Sequence, residues 1–88
     1  MNNYTPMSEV IMKINTIALE LNRTELAIRG INERIAVINQ GYEHSGRNPD
    51  YFYRFQIELE TATSDKIGFE HKRDRLIIEL SEFKDLVN

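Results

Sequence analysis

The side chains best suited to chemistry are two histidines, His44 and His71, and a scatter of carboxylates. Neither histidine has a second one three or four residues away, the spacing that a metal site on one helix face requires. No cysteine is present, which removes thiolate ligands, thiol nucleophiles and disulfides together. Glu58 and Glu60 alternate along the chain, and on a helix that spacing sends them to different faces rather than into an acid–base pair. No glycine-rich phosphate loop occurs, and no serine sits in a nucleophile-elbow setting. The sequence predicts no enzyme, no cofactor and no metal.

Binding chemistry remains. Tyr42, Tyr51, Phe52, Tyr53 and Phe55 cluster with Arg47 and Arg54. Tyrosine and arginine dominate binding hot spots because they join a large contact area to a polar handle. Phe52 and Phe55 fall on the seam described below, and Tyr42 and Tyr51 are expected to close the end of the fold. Tyr53 and Arg54, flanked by Tyr51 and Arg47, are therefore the candidate partner-binding residues. Aromatics with arginine also suit single-stranded nucleic acid. A net charge of -3 and the lack of a basic groove argue against that use. The run His71-Lys72-Arg73-Asp74-Arg75 is basic only as a string, because a helix disperses it around its circumference.

The elements that position these residues follow from periodicity. From Met7 to Tyr42 the heptad a positions are Met7, Ile14, Leu21, Ile28, Ile35 and Tyr42. The d positions are Val10, Ile17, Thr24, Ile31 and Ile38, so Thr24 alone is polar. A repeat of about 3.5 residues keeps one seam facing a partner helix along its whole length. Thr5-Pro6 is a start signal, and Gly41 can take the left-handed position that ends a helix, so the first helix is expected over about 6–40. The polar stretch 41–48 reads as a connection. Asn48-Pro49-Asp50 repeats the start signal for a second helix over about 49–87. Its a positions are Phe52, Leu59, Lys66, Arg73, Leu80 and Val87, and its d positions are Phe55, Ala62, Phe69, Leu76 and Phe83. Thr61 to Gly68 is poor in strong helix formers and is the place where that helix could kink.

The predicted fold is all-α, one domain over residues 1–88: an antiparallel two-helix coiled-coil hairpin, dimerising into a four-helix bundle. A pivot at Ser45 places Thr24 opposite Lys66, Ile35 opposite Phe55, Met7 opposite Phe83 and Ile17 opposite Arg73. On one edge the same pivot pairs Lys13 with Glu79, Glu20 with Lys72 and Arg34 with Glu58, all of opposite charge. The other edge is apolar: Ile11, Met12, Ala18, Leu19 and Leu26 on the first helix, Ile77 and Ile78 on the second, with Ile11 beside Ile77. Contiguous apolar strips of this kind mark interfaces, so these seven are the candidate self-association residues.

The functional expectation is a non-enzymatic protein–protein interaction module, homodimeric and binding another protein, acting as a small regulator, inhibitor or adaptor of the kind phages and mobile elements encode. The alternatives are a structural subunit of a larger helical assembly and, less favoured by the charge, a nucleic-acid-binding accessory protein. No run approaches the roughly 18 apolar residues of a membrane span. Residues 1–9 lack the basic and apolar regions of a secretory signal. A cytoplasmic setting, without membrane contact, is expected.

Overall fold

The computed structural model describes residues 6–87. Two helices fill them, α1 (Pro6–His44) and α2 (Pro49–Asp85), packed against each other as an antiparallel hairpin 72 Å long and 20 by 15 Å across. α2 runs without interruption through Thr61 to Gly68. A cross-section this thin admits one line of contact. The buried residues are Ile17, Thr24, Ile28 and Ile31 from α1 and Ala62 and Leu76 from α2, every one an a or d position. Thr24 tolerates burial because its hydroxyl donates to the Glu20 carbonyl at 2.8 Å, so no polar atom is left unpaired.

The connection differs from the sequence expectation. α1 does not stop before Gly41 but continues to His44, and the glycine that ends it is Gly46, with φ of 70°. Arg47 N–H donates to the Tyr42 carbonyl (3.1 Å) and Gly46 N–H to the Glu43 carbonyl (3.0 Å), the paired bonds of a Schellman cap. Arg47 itself sits at φ of 57°. Asn48 then caps α2, its side chain accepting from the Asp50 N–H at 3.0 Å, and Pro49 occupies the first turn, where its missing donor costs nothing.

The later stop brings a different register. Phe55, expected against Ile35, stacks on Tyr42 with ring centroids 4.2 Å apart. Arg34, expected against Glu58, pairs with Asp65 at 3.6 Å. Each partner has moved by one heptad. Lys13 lies over the Phe83 ring at 5.7 Å, and no cross-helix pairing of Lys13 with Glu79 or Glu20 with Lys72 forms among the described residues. The same displacement brings Thr24 level with Arg73 instead of Lys66, and Arg73 lines a cleft with Glu25, Ile28, Arg29 and Asn32. It also leaves Met7 and Phe52, the outermost seam residues, exposed. The physical reason lies at the closed end. The expected pivot would leave Tyr42 facing the turn, whereas the longer α1 places it between Phe55 and the edge of Phe52, 6.1 Å away. Exposed charge pairs contribute a few tenths of a kcal/mol each, less than an aromatic stack of about 0.5–1.5 kcal/mol beyond its area burial.

The two glycines of this region should respond oppositely to alanine. Gly41→Ala adds a methyl group to a helical position with nothing within 4 Å and should raise stability by up to about 1 kcal/mol in urea unfolding. Gly46→Ala forces a left-handed alanine and should lower it by about 1–2 kcal/mol.

Candidate protein interface

The f positions of a heptad lie diametrically opposite its a/d seam, so α2 cannot cover them. On the half of α1 nearer the termini they are occupied by Met12, Leu19 and Leu26, respectively 68, 51 and 50% exposed, and beyond it by the polar Glu33 and Gln40. Ile11 and Ala18, at e positions, extend this strip toward α2, and both are exposed. On α2, Ile77 and Ile78 are exposed as well. The register moves Ile77 from the expected place beside Ile11 to the level of Ala18, and sets Ile78 level with Leu19. The seven residues wrap the half of the rod nearer the chain termini as an apolar band, from the outer face of α1 (Met12, Leu19, Leu26) across one edge (Ile11, Ala18, Ile77) to the outer face of α2 (Ile78), with Asn15 and Asn22 set into it.

The closed end is built differently. Tyr42 stacks on Phe55 at an interplanar angle of 15°, and Phe52 tilts against Phe55 with centroids 6.4 Å apart. These three rings are mutual packing. Tyr51, expected to close the end with Tyr42, remains outside instead, as does Tyr53, at 75% the most exposed large apolar side chain among the described residues. Tyr51 and Arg54 line an open cleft of about 360 Å³ with Val37, Gly41, Tyr42 and Phe55, which Tyr53 and Arg47 do not line. Both arginines are held by carboxylates of their own helical turn: Arg54 Nε meets Glu58 Oε1 at 3.0 Å, and Arg47 Nη2 meets Glu43 Oε1 at 2.8 Å. The hydrogen bond to Glu43, reinforced by its charge, raises the Arg47 pKa above the usual arginine value. A partner reaching either arginine must therefore share it with a resident carboxylate.

Sequence reasoning missed the α1 side of this cleft. Val37 is 66% exposed at an outward c position. Its signal was available, an apolar residue off the seam within one turn of a glycine. Gly41, a helix stop by its sequence context, lies inside α1 and leaves an open wall instead. Among the described residues no cluster of metal-ligating side chains gathers, and no helix is long and apolar enough to cross a membrane.

The geometry defines a two-helix coiled-coil hairpin that carries an exposed apolar band and an aromatic tip. In comparison with known proteins, the chain matches no family model, no curated protein and no solved structure.

A double-mutant cycle on Tyr42→Ala and Phe55→Ala tests the stack. The expected coupling is about 0.5–1.5 kcal/mol in chemical denaturation. Simple additivity of the two losses would mean the rings do not hold the closed end.

Proposed function

We propose that this chain is a non-enzymatic protein–protein interaction module that works as a homodimer, two hairpins joined through the apolar band into a four-helix assembly, and serves as a small regulator, inhibitor or adaptor. The observation that carries the reading is the column Met12, Leu19 and Leu26, repeated at heptad spacing on the one face of α1 that its own hairpin cannot reach. Surface area supports it. The chain exposes 6747 Å², whereas a compact monomer of 10.3 kDa would expose about 5,400 Å². A standard interface removes about 800 Å² from each partner, within that excess. Burying each large side chain of the band contributes about 1.5–3 kcal/mol to a rod whose own core is a single file.

Because the band occupies the half nearer the termini, the aromatic tips stay free in such a dimer. Tyr53 and Arg54, with Tyr51 and Arg47, are the residues we assign to contact with a second protein. The cysteine-free composition suits the reducing cytoplasm, where we place the protein.

Sedimentation velocity tests the core of this reading. The wild type is expected at twice the monomer mass at micromolar concentration, and Leu19→Glu at the monomer mass with helicity retained. The pair Tyr53→Ala and Arg54→Ala is expected to leave the mass unchanged. A monomeric wild type ends the proposal, and concentration-dependent growth beyond the dimer would favour a polymerising structural subunit instead.

A further inference from the structure

The seam of α1 carries one polar residue, Thr24, but the seam of α2 carries two, Lys66 and Arg73, seven residues apart and both at a positions. Both are half-buried. In the observed register Thr24 is level with Arg73, and Lys66 falls opposite Ile31. Displace α2 by one heptad and Thr24 meets Lys66, while Arg73 falls opposite Ile17. Each arrangement has one polar layer and one charged side chain against an isoleucine. The polar positions of the core therefore do not discriminate between them.

The closed end offers two stops to match. Gly46 ends α1 in the left-handed conformation. Gly41 lies inside the helix, at a cost for an interior glycine of about 1 kcal/mol relative to alanine, and a Cβ there would meet nothing within 4 Å. Ending α1 before Gly41 lengthens the connection and centres it near Ser45, which is the pivot that the displaced register requires.

The edges set the balance. Among the described residues the observed register has one ion pair between the helices, Arg34 with Asp65. It also draws Glu20 and Glu79 together, in one cleft with Lys13 and in another with Lys72 and Arg75, without an ion pair forming among them. Displacement by one heptad would put Lys13 against Glu79, Glu20 against Lys72 and Arg34 against Glu58, all attractive. What it gives up is the Tyr42–Phe55 stack and the last turn of α1.

We propose that the hairpin is a two-register device: the helices slide by one heptad, with α1 ending at Gly46 in one state and before Gly41 in the other, and with Thr24 level alternately with Arg73 and Lys66. Sliding also rebuilds the apolar band, moving Ile77 from the level of Ala18 to that of Ile11. A protein that grips one form of the band selects one register. The device does not depend on self-association.

The chain has no native cysteine, so paired cysteines report the register directly. Ala62→Cys with Ile35→Cys should oxidise in the observed register, and Ala62→Cys with Ile28→Cys in the displaced one. Helicity of each reduced variant is measured first. Both disulfides are expected under mild oxidation. Glu79→Lys, which turns Glu20–Glu79 attractive and Lys13–Glu79 repulsive, should favour the first and suppress the second. Gly41→Ala should shift the ratio the same way, roughly fivefold. Spin labels on exposed Thr16→Cys and Gln56→Cys, in spin-diluted protein, read the same motion with the seam intact. Two distances separated by about 10 Å, one heptad of helix rise, are expected. Oxidation through only one cysteine pair, or a single label distance that Glu79→Lys does not alter, overturns the proposal.

Discussion

Everything in this molecule depends on a single line of contact between two rods. A domain with layers can lose a contact and retain neighbours that hold the same residues. Here a seam side chain packs against the facing helix and its neighbours along its own seam, and among the described residues no further layer lies behind it. The constraint explains why only six described residues are buried and why they occupy only a and d positions. It also explains why the ends matter. Along a repeating seam, successive heptads offer nearly equivalent grips, so register is decided by what happens at the turn and along the edges.

At the turn the deciding residues are small in number. Tyr42 is the last a position of α1, and it is satisfied only when the helix runs far enough to bring it over Phe55. The Schellman bonds from Gly46 and Arg47 then close that helix, and Asn48 opens the next. Arg47 fits the same picture. It accepts a left-handed backbone angle while its guanidinium folds back onto Glu43. A compact cap of this kind leaves little slack, and the seam takes up the remainder.

The helices, their antiparallel order and the seam membership were legible in the sequence, because heptad spacing encodes them without reference to the rest of the fold. The start of α2 was legible too, since Asn48-Pro49-Asp50 fits little else. Register was not. Gly41 and Gly46 both read as stops, and nothing local separates a glycine that ends a helix from one that is carried inside it. The charged edge favoured one answer and the aromatic end another, and comparing them needs the distance between rings, which spacing does not supply. The apolar residues of the band could be picked out by position, but their placement relative to Ile77 inherited the register error. Val37 lies outside both the seam and its two edges, so its heptad position alone gives it no role.

The closed tip and the open end of the rod also differ in chain entropy. Residues near the turn are joined by a short loop, so their contacts form early and reopen rarely, whereas Val10 and Val87 are brought together only after the whole length has zipped. Amide protons should exchange slowest along the buried stretch from Ile17 to Ile31 and its partners Ala62 and Leu76, and faster toward the open end of the two helices. The apolar band reaches that open end. Whatever settles on it clamps the outermost turns, so association and local ordering become one event.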